Sequence, residues 1–153
     1  MQGIDILRLL KQDSKLKNVP IHIVCMSEIW PEPVPVSGYV LNSADCDEIG
    51  EHWSSFWVSK DNSVDYMDSY GCAPIESVYK WLKSKGLHPI RYNYKWLQSF
   101  KSHACGFYCI YFLYRIVRNH SLSKILKAFS DTNLKYNDDL VTSFSSKLSQ
   151  RLI

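Results

Sequence analysis

No stretch of this sequence is long and apolar enough to cross a membrane. The longest uncharged apolar run, Ala104 to Tyr114, is about half of a span. The N-terminus also lacks the apolar core of a secretory signal. Paired cysteines are missing as well: Cys25, Cys46, Cys72, Cys105 and Cys109 are odd in number and show no paired spacing. That argues against a secreted disulfide framework and for a reducing compartment. Repeats, low-complexity tracts and an internal linker are absent, so residues 1–153 read as a single domain, able to bury on the order of 70% of its unfolded surface. Acidic side chains are absent from residues 77–130, which carry ten basic ones, whereas residues 1–76 carry 12 acidic and five basic ones. The net charge of +3 therefore conceals a basic segment, a candidate surface for polyanions.

Hydrophobic spacing outlines the elements. Ile4, Leu7, Leu10 and the residues on to Leu16 predict an N-terminal helix ending near Asn18, and Ile21 to Cys25 a strand. Pro31, Pro33 and Pro35 mark a surface loop. Tyr39 to Asn42, His52 to Ser59 and Val64 to Asp68 predict strands, the last two joined by a turn at Lys60-Asp61-Asn62-Ser63. Ile75, Val78, Tyr79 and Leu82 form one helical face that ends at Gly86, a C-cap, and Ile90 to Tyr94 returns as a strand. From Cys105 to Val117 almost every residue is apolar or aromatic, the pattern of a helix buried on nearly all sides. Leu140, Val141, Phe144 and Leu148 mark a final amphipathic helix. The expected fold is α+β: an antiparallel-rich mixed sheet packed with helices, with Cys105 at the N-terminus of a buried central helix.

Four residues in order carry the chemistry: His52 followed by Trp53, Asp68 in Asp68-Ser69-Tyr70-Gly71, Gln98, and Cys105 in Ala104-Cys105-Gly106-Phe107-Tyr108-Cys109. A thiol is only slightly ionised at neutral pH. It needs an imidazole to take its proton, a carboxylate to orient that imidazole, and an amide donor for the developing oxyanion. A helix N-terminus lowers a thiol's pKa through its dipole and unpaired N–H groups. Glycine in a first helical turn costs about 1 kcal/mol against alanine, so Gly106 reads as backbone that a ligand approaches closely. Cys105 and Cys109 share a helix face, but no second pair with zinc-ligand spacing exists, and no metal site is expected.

The words HW, DSYG, QS and ACGFYC in this order resemble the adenovirus-type cysteine endopeptidases (adenain) and their relatives in Polinton/Maverick elements and viruses. More distantly they resemble the ubiquitin-like-protein proteases. Gln98 precedes Cys105 by seven positions, the adenain spacing. The text Tyr39-Val40-Leu41-Asn42-Ser43, then Gly50-Glu51-His52-Trp53, is similar to that family's approach to its histidine. Adenain usually has Glu where this chain has Asp68.

The resemblance implies a cysteine endopeptidase with catalytic His52, Asp68, Gln98 and Cys105, and with Trp53 and Gly106 at the substrate. It implies protein substrates with glycine at the cleavage site, processed during particle maturation in a virion or a host nucleus or cytoplasm. The alternatives are a protease for ubiquitin-like modifiers and an inactive relative that binds nucleic acid. No cofactor is required for the chemistry, though DNA or a peptide could activate. Lys80, Lys83 and Lys85 are the candidates for non-specific DNA contact. Where the family tethers its activating peptide through a cysteine, eleven positions before Gln98, this chain has Leu87. A monomer without membrane contact is expected.

Overall fold

The computed structural model describes residues 1–43 and 52–151. Gly50, Glu51 and Cys46, used in the sequence reading, lie outside the described residues. The elements follow in the order α1 (Gly3–Lys11), β1 (Ile21–Cys25), β2 (Ser37–Asn42), β3 (Trp53–Val58), β4 (Val64–Met67), α2 (Glu76–Ser84), β5 (Ile90–Tyr92), α3 (Cys105–Ile116), α4 (Leu122–Leu126) and α5 (Leu134–Gln150). The strands form one mixed sheet in sequence order, β1 to β5. Its three central strands are antiparallel, and each edge strand runs parallel to its neighbour. The architecture is the α+β one expected. Among the described residues no helix is long and apolar enough to cross a membrane.

Both faces of β3 are covered, so all six of its residues are buried, and the period of two sorts them. Trp53 and Trp57 face a core built around α3, whereas Phe56 and Val58 join Tyr39, Tyr66, Val78 and Leu82 in a second core under α2. Helix α3 has no polar stripe; nine of its 12 residues are buried. At its C-terminal end Arg118 lies over the Tyr114 ring and pairs with buried Asp13 at 2.5 Å.

The N-terminal helix stops earlier than its spacing predicts. Asp13 accepts from the backbone N–H groups of Lys15 and Leu16, 3.1 Å each, offering the chain a turn that competes with helix. Helix α2 ends as expected at Gly86, whose φ of +71° suits a residue without Cβ. Leu87 N–H bonds Leu82 carbonyl and Gly86 N–H bonds Lys83 carbonyl, a Schellman ending. The turn at Lys60–Ser63 is stabilised by Asp61, which accepts from Ser63 N–H and Oγ. Inside the proline-marked loop Trp30 is buried, its indole N–H bonding Cys25 carbonyl at 2.9 Å. Cysteine spacing suggested no bridge, yet Cys25 is disulfide-bonded; sequence spacing does not report which thiols meet in space.

Candidate active site

Three of the four expected residues converge at the N-terminus of α3. The β3–β4 ladder ends at the pair Ser55 and Met67. Just beyond it, His52 leaves one strand and Asp68 the other, and His52 Nε2 lies 3.0 Å from Asp68 Oδ1. Cys105 is the other group that acts on the imidazole. Burial alone would lower the pKa of His52, but hydrogen bonds to Asp68 and Cys105 and the charges of both push it up to about 9. Burial alone would raise the Cys105 thiol. The hydrogen bond from His52, backbone N–H donation from Trp53 and Gly106, and the His52 charge outweigh it and hold the thiol below its ordinary value. The arrangement favours an imidazolium facing a thiolate. Four residues further along α3, Cys109 is completely buried and its pKa is pushed far up by desolvation, so helix position alone does not activate a thiol.

Asp68 is held by more than His52. Its carboxylate also accepts from Tyr70 N–H at 2.8 Å. Its backbone is bracketed by buried Asn93, whose Oδ1 accepts from Asp68 N–H at 2.9 Å and whose Nδ2 donates to Asp68 carbonyl at 2.6 Å. The following turn closes through Gly71, which has a φ of +75° and lies against the Lys95–Trp96 backbone, where a Cβ would come within 2.8 Å of Lys95 carbonyl carbon. That close approach is why the DSYG word needs its glycine. It also docks the Asp68 loop on the loop carrying Gln98: Leu97 and Gln98 N–H both bond Ser69 carbonyl.

Gln98 is buried between the two loops. Its Oε1 accepts from Ser69 Oγ and its Nε2 donates to Ser102 carbonyl at 2.7 Å. Ser102 Oγ in turn accepts Ala104 N–H, directly before α3. The amide is thus oriented with its NH2 toward the segment that enters α3, where Nε2 also donates to Ser102 Oγ at 3.4 Å. The loop is bolted from behind: Asn137 Nδ2 donates to Leu97 carbonyl at 3.1 Å, and the single proton of the Tyr108 hydroxyl is shared between Asp138 Oδ1 at 2.8 Å and Leu97 carbonyl at 3.1 Å. Sequence reasoning missed Asn93, Asn137 and Asp138, which carry no motif; each acts on a partner far away in the chain.

Trp53 is buried at the start of β3, and its indole N–H bonds the Met1 carbonyl at 3.2 Å. The space over Gly106 is taken by the Met1 thioether and Ile6: a Cβ there would lie 2.9 Å from Met1 Sδ. Lys80 pairs with Glu76 at 2.9 Å in full exposure, Lys85 pairs with Glu32, and Lys83 lies over the Tyr79 ring. A cavity of about 600 Å³ lies at the far end of α3 among Ser59, Lys60, Arg91, Asn119 and His120. Chemistry, not cavity size, locates the candidate site.

No family model matches the chain, and no curated protein matches it either. Solved structures do. The ASFV pS273R protease aligns with a TM-score of 0.52 at 21% identity over 71% of this chain, which spans only 44% of that protein's length. ChlaDub1 from Chlamydia trachomatis aligns with a TM-score of 0.57 at 16% identity, over 98% of this chain and 78% of that one. The central domain of the uncharacterized Lpg1148 protein from Legionella pneumophila aligns with a TM-score of 0.57 at 14% identity, over 100% of this chain and 98% of that one. At these identities the likeness is one of fold: the α+β arrangement of a sheet packed with helices is shared with these structures.

Proposed function

We propose that the chain is a cysteine-type endopeptidase whose nucleophile is Cys105. The observation that carries the reading is His52, held between Asp68 Oδ1 at 3.0 Å and the Cys105 thiol at a helix N-terminus. In this reading the Cys105 thiolate attacks the scissile carbonyl carbon. The oxyanion that forms is met by Cys105 N–H, which as the first residue of α3 has no intrahelical acceptor, and by Gln98 Nε2 once its longer bond to Ser102 Oγ, 3.4 Å, gives way. His52, protonated from the start, gives its proton to the leaving amine as the tetrahedral adduct collapses. It then takes a proton from the water that cleaves the thioester, restoring the thiolate–imidazolium pair. Asp68 fixes the imidazole's tautomer and orientation throughout.

The substrates in this reading are precursor proteins of a virus or mobile element, with glycine at the cleavage point. In this reading Trp53 and Gly106 edge the subsite for that glycine, and Met1, which covers Gly106, must yield to the substrate. DNA or a peptide as an activator belongs to the same proposal. The test is an electrophilic Gly-Gly or Leu-x-Gly-Gly peptide, incubated with the protein and read by mass spectrometry. A single adduct on Cys105, lost in Cys105→Ala, supports the reading. No adduct on Cys105 under conditions in which iodoacetamide labels it refutes glycine-site recognition. A Leu-x-Gly-Gly adduct accompanied by release of a ubiquitin-like modifier from a conjugate moves the substrate class to those modifiers.

A further inference from the structure

Tyr70 takes no part in the bond-making and proton transfers of the peptidase reading, yet its ring lies broadly against the imidazole at the centre of them. It stacks on His52 with centroids 5.0 Å apart and an interplanar angle of 24°. Its backbone N–H donates to the same Asp68 Oδ1 that faces His52 Nε2. Behind it stands Trp96, edge-on at 5.3 Å and 65°, itself fastened by an indole N–H bond of 2.6 Å to Gln98 carbonyl. The close approach of Gly71 to the Lys95–Trp96 backbone sets the two aromatic residues against each other.

The hydrogen bond from Nε2 to Asp68 fixes the imidazole at one ring nitrogen and leaves its plane free to rock about that point. A flat surface against one face removes that freedom. An aromatic face within about 6 Å also attracts a cation through its quadrupole. We propose that Tyr70, backed by Trp96, is a positioning residue for His52: its ring fixes the imidazole plane on the line between Asp68 and Cys105 and favours the imidazolium. The inference rests on the peptidase reading, because it assigns Tyr70 a role through His52. The titratable groups that bear on His52 are Asp68 at the end of β4, Cys105 on α3 and the Tyr70 phenol itself. The aromatic face is the contribution of Tyr70; its hydroxyl has no role. Because Trp96 is tied to the Gln98 carbonyl, the same pair of rings couples the imidazole to the loop that carries the amide donor.

The experiment measures iodoacetamide alkylation of Cys105 against pH in the intact chain, by peptide mapping that separates it from exposed Cys72. It reads thiolate formation without any peptidase assay. Tyr70→Phe is expected to keep the wild-type profile. Tyr70→Leu is expected to raise the apparent midpoint by about half to one pH unit, a ~3- to 10-fold loss of labelling on the acid side. Trp96→Leu is expected to move it in the same direction by less. Should Tyr70→Leu fail to fold, Trp96→Leu decides, since it leaves Tyr70 in place and removes only its support. An unmoved midpoint in the folded leucine variant, with His52→Ala shifting the profile, overturns the role of Tyr70 and leaves the peptidase reading standing. An unmoved profile in His52→Ala overturns the ion pair and the inference with it.

Discussion

Two groups of charges in this molecule behave in opposite ways. On α2, Lys80 and Glu76 meet at 2.9 Å with both side chains exposed to water; such pairs are screened and contribute little. At the head of α3, His52 and Asp68 meet at 3.0 Å with only a fifth and a ninth of their side chains exposed. There Asp68 is fixed by further hydrogen bonds, and the ionisation of His52 is shifted strongly. The same distance therefore means different things, and the difference lies in what has replaced water. At the α3 end it is Asn93, the Tyr70 N–H, the Ser69–Gln98 bond and the bolts from Tyr108, Asn137 and Asp138.

The sharpest way to break the comparison is at Gln98. If the buried end is preorganised for an oxyanion, Gln98→Ala should lower kcat on a glycine-site peptide by roughly 10² to 10³, about 2.7–4 kcal/mol, with KM little changed. A change confined to KM would make Gln98 a substrate-binding residue. Steady-state kinetics on a fluorogenic peptide distinguishes the two.

A smaller effect concerns pH. His52, raised from 6.5 to about 9, contributes stability that is fully present below 6.5 and lost as pH rises to about 9. Cys105, lowered from 9.0, contributes stability that is present above 9.0 and lost as pH falls through its lowered value. From the lowered Cys105 value up to about 9 the two slopes oppose each other, so over that span the pair leaves folding stability nearly flat. Removing the thiol unmasks the imidazole. Cys105→Ala, with Asp68 still beside His52, should lose stability relative to wild type as pH rises across this window, by up to ~1.4 kcal/mol per pH unit. Urea unfolding at several pH values measures the tilt; parallel curves would mean that the two groups do not share a proton.

The smallest effect belongs to α2. Binding to a random DNA duplex should show log K falling with log salt by about 0.9 per phosphate contacted. Lys80 and Lys85 already face Glu76 and Glu32, so changing Lys80, Lys83 and Lys85 together to Gln should lower that slope by about 1, short of the roughly 3 that three free lysines would give. Fluorescence anisotropy across a salt series checks it. A wild-type protein with no measurable affinity near about 0.1 M salt makes the helix a solvated face balanced by its own acids.

The ends of these contrasts were unequally legible in the sequence. Strand alternation, the all-apolar run after Cys105 and Gly86 were plain, because each is a local pattern. The order of His52, Asp68, Gln98 and Cys105 could be read because each stands beside a distinctive neighbour. What escaped depends on partners distant in the chain. Asp13 ends α1 through its own side chain but is buried by Arg118, 105 residues away. Trp30 is buried under the second sheet face from within a proline-marked loop. Helix α4 is too short, at five residues, to show a period. Tyr70 sat in a motif word, yet nothing in spacing says that a ring two places past an acid will lie flat on a histidine.

The bracket that Asn93 places around Asp68 has a reach beyond its size. Beyond the last paired residue of β4, Asp68 has no main-chain partner on β5; Asn93 meets its N–H with a carbonyl oxygen and its carbonyl with an N–H. A side chain thus stands in for a peptide unit. It lengthens the ladder by one rung while the main chain of β5 is released to turn through Tyr94, at a φ of +37°. The stiffness of the sheet is thereby delivered to the carboxylate that orients the histidine, by a residue that never approaches the reacting atoms. Aspartate would bring a second acceptor to the Asp68 carbonyl and glutamine an extra methylene, so the rung specifies asparagine alone.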